Sequence, residues 1–98
     1  MVETGTERIY RRNRDISFQA YGEEGLLVIP RQALQVVLNG TSLRVLQLVD
    51  GKRSSAEIAG VLSSEYEQVP PLSGLVADVN SVLIELFDLG AIELVPKT

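Results

Sequence analysis

The sequence predicts a small α+β domain with a winged-helix-like arrangement, in which a three-stranded antiparallel sheet is followed by a three-helix bundle. Two observations predict this fold class. The first forty residues contain short apolar or alternating segments separated by turn residues, and the remainder contains helix-period patterns bounded by capping residues. A chain of 98 residues with 45% hydrophobic and 22% charged residues suits one globular domain.

Three short segments are predicted to form the sheet. Residues 16–20 alternate apolar and polar side chains, which is typical of a half-buried strand, and a glycine-containing turn follows. Residues 26–29 are a continuous apolar run that Pro30 ends, as expected for a central strand. Residues 34–38 alternate between two faces and complete the sheet. Its edges are expected to expose unpaired backbone groups that another strand can use.

Capping signals divide the rest of the chain into three helices. Thr41 is the predicted N-cap of the first helix, and Gly51 follows its end. Ser54 and Glu57 have the spacing of a capping box at the start of the second helix. The third helix is predicted from about Leu72 to Leu89, before Gly90, and residues 91–95 form an extended tail that can pack back on the body.

The third helix is apolar around more of its circumference than one core requires. At about 100° per residue its apolar arc covers about 220°, whereas a helix packed on one core needs little more than about 100°. The arc consists of one stripe, Leu75, Val79, Val82, Leu86 and Leu89, and a second stripe, Leu72, Val76, Leu83 and Phe87, which Asn80 and Ile84 extend. We therefore expect something besides the core to cover this helix.

Composition argues against several classes of function. The chain has no cysteine and no histidine, so we expect no cofactor or metal site and no thiol or histidine-based catalysis. The carboxylates of the third helix lie on its polar side, where a solvated surface is the simpler interpretation than a catalytic pair. We predict that the protein is not an enzyme. No charge-free run is long enough to span a bilayer and the start lacks a signal sequence, which predicts a cytoplasmic protein without membrane contacts.

Charge is distributed unevenly along the chain. Residues 1–15 carry four arginines and are predicted to form a flexible arm, whereas residues 16–95 form the single folded domain. Residues 16–98 carry ten acidic and five basic residues. An acidic body repels phosphate backbones, and the third helix has no lysine or arginine, so nucleic acid is not an expected partner. A winged-helix DNA-binding regulator remains the alternative that the fold class itself suggests.

An ordered set of residues resembles the PqqD-like family. The set is Leu38-Asn39, the run from Val45 to Gly51, Glu57-Ile58, Leu62, Tyr66, Asp78-Val79, Leu83, Leu86 and Gly90-Ala91-Ile92. Domains of this family are RiPP recognition elements, which hold the leader segment of ribosomally made precursor peptides while partner enzymes modify the core segment. The resemblance spans about residues 16–95.

This resemblance implies a peptide chaperone that binds a leader peptide by strand addition. The leader is expected to add beside the third predicted strand and to lie against the third helix. The candidate peptide-binding residues are Gln35, Val36, Val37 and Leu38 on the strand, and Val76, Asn80, Leu83, Ile84 and Phe87 on the helix. The implied partners are a precursor leader peptide and a modifying enzyme or leader peptidase of the same pathway.

The wide apolar arc also has simpler explanations. The second stripe can be a homodimer interface, so the protein is predicted to be a monomer or a weak homodimer, or it can be covered by the N-terminal arm or the C-terminal tail. Asn80 favours a peptide groove, because a core position seldom holds an unpaired amide. Which of the two stripes faces the peptide stays open at the level of sequence.

Overall fold

A computed structural model describes residues 8–65 and 72–96, with side chains from residue 74 onward in the second range. Five strands and three helices occur in these ranges. They are β1 (Tyr10–Arg12), β2 (Ser17–Tyr21), β3 (Glu24–Ile29), β4 (Leu34–Leu38), α1 (Gly40–Leu48), α2 (Ser55–Glu65), α3 (Leu72–Leu89) and β5 (Ile92–Leu94). The α+β class, the three-stranded sheet and the three helices are thus confirmed.

The central sheet has the order β2-β3-β4 and is antiparallel throughout. A 3₁₀ turn, Pro30–Gln32, joins β3 to β4, and the register pairs Leu27 with Val36 and Gly25 with Leu38. Leu27 and Leu38 are buried, whereas Val37, on the opposite face of β4, is exposed. One face of the sheet therefore packs on the helices, as the alternation in residues 34–38 predicted.

Helix ends follow the predicted capping signals with one correction. The capping box at α2 is confirmed, because the Ser54 backbone N–H donates to the Glu57 carboxylate at 2.9 Å and the Glu57 N–H donates to the Ser54 hydroxyl at 3.3 Å. At α1 the N-cap is Asn39 and not Thr41, since the Asn39 side chain accepts a hydrogen bond from the Ser42 N–H at 2.8 Å. Asparagine caps as well as threonine, and this one directly follows β4.

The third helix ends as the sequence predicted. Gly90 takes a positive φ of +86°, and the Ala91 N–H donates to the Leu86 carbonyl at 3.0 Å, which closes a left-handed helix end. This turn directs the chain into β5. On α3, the side chains of Leu75, Val79, Leu83 and Leu86 are buried in the core, where the helix packs against α1 and α2.

The N-terminal segment differs from the predicted flexible arm. Residues 10–12 form β1, which pairs antiparallel with β5 so that Tyr10 lies opposite Leu94. Tyr10 is only 6% exposed, and the Asn13 side chain donates to the Gly90 carbonyl at 2.6 Å. The segment has no local pattern because its pairing partner lies about eighty residues later in the chain. Residues 1–7 of the predicted arm lie outside the described residues.

Candidate functional site

A groove of about 480 Å³ lies between the free edge of β4 and one flank of α3. A volume of this order is typical of ligand sites in proteins. Its lining comes from β4 and the start of α1 on one side, Val36, Val37, Leu38, Asn39 and Ser42, and from α3 on the other, Val82, Glu85, Leu86, Asp88 and Leu89. Aliphatic side chains dominate both walls, and two carboxylates border the helix side.

The strand wall of the groove offers backbone hydrogen-bonding groups. β4 pairs with β3 on one side, and no strand within residues 8–65 and 72–96 pairs with its other side. In an antiparallel ladder, alternate residues direct their N–H and C=O groups away from the partner strand. Such groups on an edge strand form a template for one more strand. The geometry of β4 therefore suits an extended peptide.

The structure brings three of the four predicted strand residues to the groove. Val36, Val37 and Leu38 line it, and the Val37 side chain is 68% exposed. Gln35 is an exposed residue of β4 that pairs with Val28 and does not belong to the lining.

None of the five predicted helix residues is among those that line this groove. Leu83 is 1% exposed and belongs to the core, and Val76 packs partly buried against that core. Phe87 contacts the buried ring of Tyr10 in an edge-to-face arrangement, with ring centroids 6.0 Å apart. Asn80 and Ile84 are exposed on the same side of the helix.

The residues that the sequence prediction missed come from the other apolar stripe. Val82, Leu86 and Leu89 line the groove from that stripe, with Glu85 and Asp88 beside them. Periodicity identified both stripes correctly as apolar. It gives no information on which stripe borders β4, because that depends on the rotation of α3 when the helix packs on the sheet. The adjacent carboxylates were a usable signal, since a groove needs a solvent-facing rim.

The groove has an acidic character. Of the described residues that line it, Glu85 and Asp88 are the charged ones, and both are exposed. Four arginines lie instead around β1 and the β3–β4 turn, Arg11, Arg12, Arg14 and Arg31. Two of them form ion pairs there, Arg11 with Glu93 and Arg31 with Asp15. None of these four arginines is among the residues that line the groove.

Shifted pKa values occur away from the groove. Hydrogen bonds from the backbone N–H groups of Lys52 and Arg53 hold the pKa of Asp50 below its usual value, and hydrogen bonds from Arg44 lower the pKa of Glu65. These groups cap a turn and join α1 to α2, so the shifts report structural contacts. No cluster of three or more potential metal ligands occurs within the described ranges. The groove itself offers apolar side chains, two carboxylates and the edge of β4 as contacts for a ligand.

Comparison with protein families shows a match over most of the chain. Residues 24–92 match the family model described as coenzyme PQQ synthesis protein D, PqqD. The matched range begins at β3 and ends in β5, so it contains both walls of the groove. No curated protein matches the sequence significantly.

Three solved structures share the fold. TbiB1 in complex with the TbiA(beta) leader peptide has a TM-score of 0.75 at 15% identity, covering 89% of this chain and 99% of that chain. Lasso peptide synthetase B1 complexed with its leader peptide gives 0.72 at 24% identity, with coverage of 86% and 96%. The PqqD part of Methylobacterium extorquens PqqCD, a RiPP recognition element, gives 0.71 at 22% identity, with coverage of 94% and 95%.

Membrane insertion has no support in the described helices. Among these segments, none combines the length and the apolar character that crossing a bilayer requires.

Proposed function

This chain belongs to the PqqD family, and we propose that it binds the leader segment of a ribosomally synthesised precursor peptide and presents it to a modifying enzyme or leader peptidase. The observation that carries the proposal is the open edge of β4 beside an apolar groove. Two of the structures that share this fold contain a bound leader peptide, which supports the same use of the fold here.

In the proposed complex the leader lies in the groove as an additional strand on β4. Backbone hydrogen bonds to β4 supply affinity that depends little on peptide sequence, and pockets for alternate side chains supply selectivity. Val36 and Leu38 lie on the core-facing side of β4, so they form the strand wall under the peptide together with Val82 and Leu89 of the helix. The peptide side chains that point inward then bury apolar surface against these four residues.

We propose that the domain has no catalytic role of its own. Its groove carboxylates are exposed, and the chain contains no cysteine or histidine to serve as nucleophile or base at neutral pH. The chemistry would therefore belong to the partner enzyme. Duplex DNA is a poor alternative ligand, because α3 carries three carboxylates and no lysine or arginine toward a phosphate backbone.

The test is a titration of isotopically labelled protein with the leader segment encoded beside its gene, followed by backbone amide NMR shifts. We expect shifts concentrated in residues 34–38 and in α3 from Val82 to Leu89. Leu89→Gln should weaken binding about fivefold or more, because it replaces apolar contact with a polar group at about 1 kcal/mol per such change.

Ile84→Gln is the matched control, since it makes the same kind of change at an exposed position outside the groove. It should leave affinity unchanged. Loss of binding in Ile84→Gln but not in Leu89→Gln would place the peptide on the other side of α3. Shifts in residues 34–38 that depend on protein concentration and need no peptide would indicate a homodimer through β4 instead.

A further inference from the structure

The two carboxylates of the groove lie close together on its rim. Glu85 and Asp88 are three residues apart on α3, so their side chains project from neighbouring turns on the same side of the helix. Both are exposed and line the groove. Within the described residues neither of them takes part in an ion pair, and the four ion pairs of these ranges involve other acids.

The floor between these carboxylates and β4 is aliphatic. Val82 and Leu89 occupy the helix side and Val36 and Leu38 the strand side. A side chain that fits this cross-section needs an apolar stem to cover the floor and a cationic head to reach the rim. Lysine and arginine have this construction, because their methylene stems pack on apolar surface while their charged ends stay near water.

We propose, on the basis of the peptide-binding function argued above, that this groove selects a leader segment with lysine or arginine among its inward-facing residues. These positions recur every second residue along an added strand. Their cationic ends pair with Glu85 and Asp88, and their stems cover the aliphatic floor. A peptide with acidic residues at the same positions meets like charge at the rim and is rejected.

Charge elsewhere on the domain strengthens this selectivity. The arginines around β1 that would attract an acidic peptide are lining residues of a different surface, together with Asp15 and Glu93. The chain as a whole has a net charge of −4. The overall field and the groove therefore favour the same sign of ligand, which raises the association rate of a basic peptide at low ionic strength.

The experiment uses a library of random 16-residue peptides displayed on phage, selected against the full chain and against the double variant Glu85→Gln/Asp88→Asn. The matched control is Glu23→Gln/Glu24→Gln, which removes the same charge at exposed residues of the β2–β3 turn and the start of β3, outside the groove lining. Selected peptides are synthesised, mapped by amide shifts and titrated at about 0.05 and about 0.5 M salt, where screening differs strongly.

We expect peptides selected by the wild type and by the control to be enriched in lysine and arginine at alternate positions. Their affinity should fall about fivefold to twentyfold in the double variant at low salt, and most of this difference should disappear at high salt. The Glu23→Gln/Glu24→Gln variant should bind within about twofold of the wild type, because neither side chain lines the groove and exposed charges are largely screened.

Two results would overturn the inference in distinguishable ways. If selected peptides shift the amides of residues 34–38 but lack basic enrichment and bind the double variant equally well, the charge selectivity is wrong and the peptide-binding function stands. If no selected peptide shifts these amides, the proposed function fails and the selectivity fails with it.

Discussion

The two flanks of α3 have different surroundings, although both contain apolar side chains. The groove flank, Val82, Glu85, Asp88 and Leu89, borders the open edge of β4. The outer flank, Val76, Asn80, Ile84 and Phe87, lies on the other side of the buried stripe, and Tyr10 of β1 packs against its Phe87. The first flank thus faces a cavity, whereas the second is partly covered by the protein's own chain.

This difference explains why the apolar arc of α3 is so wide. A central stripe packs in the core, one flank forms a groove wall, and part of the other flank supports β1. Excess apolar surface on a helix is therefore not by itself a ligand site. The two flanks differ in their neighbours: the first borders β4, whose outer edge has no partner strand within the described residues, and the second has Tyr10 of β1 packed on Phe87.

The largest loss of stability is expected for a substitution in the buried stripe of α3 that lies between the two flanks. Leu83→Ala should lower the free energy of unfolding by about 3 to 5 kcal/mol, because a fully buried leucine leaves a cavity. Leu89→Ala on the groove flank should cost less, since this side chain is only half-buried. Chemical denaturation measures both values. A cost below about 1 kcal/mol for Leu83→Ala would contradict its assignment to the core and reopen it as a peptide contact.

A smaller loss of stability is expected for a substitution at the contact between β1 and the outer flank. Tyr10→Ala should destabilise the domain by about 2 to 3 kcal/mol, because it removes a buried aromatic side chain and exposes Phe87. In a double-mutant cycle with Phe87→Ala, the two rings should show a coupling of about 1 kcal/mol. Peptide affinity of the folded Tyr10→Ala protein should remain within about twofold, since β1 lies outside the groove.

The Tyr10→Ala variant tests whether the outer flank contributes to peptide binding. If Tyr10→Ala abolishes peptide binding while the domain stays folded, the N-terminal strand contributes to the site and the contrast between the flanks is wrong. Far-ultraviolet circular dichroism at the binding temperature checks that the domain is folded.

The smallest effect is expected at an ion pair that lies on neither flank. Arg44 of α1 and Glu65 of α2 are paired at 2.6 Å, and both side chains are more than a third exposed. Glu65→Gln should lower the free energy of unfolding by less than about 1 kcal/mol, because exposed pairs are screened by solvent. Peptide affinity should not change.

The same pair predicts a pH dependence. Hydrogen bonds from Arg44 lower the pKa of Glu65 in the folded state, below its usual value of 4.5. A lowered carboxylate pKa stabilises the fold at pH values above the unfolded pKa, and this stabilisation is lost as the pH falls through the folded pKa. The unfolding free energies of the wild type and Glu65→Gln should therefore converge as the pH falls below 4.5 and through the lowered folded-state pKa. A difference that persists unchanged at low pH would contradict this origin.

Sequence patterns were most informative for structural elements that are specified by nearby residues in the chain. The bounds of α3, the strand at residues 34–38 and the Ser54–Glu57 capping box followed from period, turn residues and caps. The prediction at Asn39 was off by two residues because two good capping residues, Asn39 and Thr41, compete at that point. Local signals of this kind act over one or two turns of chain.

Prediction was poorest where a contact joins distant parts of the chain. β1 pairs with β5 across about eighty residues, and within β1 only Tyr10 is buried, in a segment that otherwise resembles a charged tail. Phe87 was assigned to the peptide groove from the helix pattern alone, which could not show its contact with Tyr10; 43% of the residue stays exposed. Burial of a residue by a strand that is distant in the sequence produces no periodic hydrophobic pattern around that residue.

The sequence by itself determined the three-stranded sheet followed by three helices, the unusually wide apolar arc of α3 and the absence of histidine and cysteine, because each is a property of composition or of a short repeat. Only the tertiary structure decided which flank of α3 borders β4, that β1 covers part of the other flank, and that Glu85 and Asp88 stand on the groove rim. Helix rotation and long-range strand pairing set these features, and both arise from packing among segments far apart in the chain.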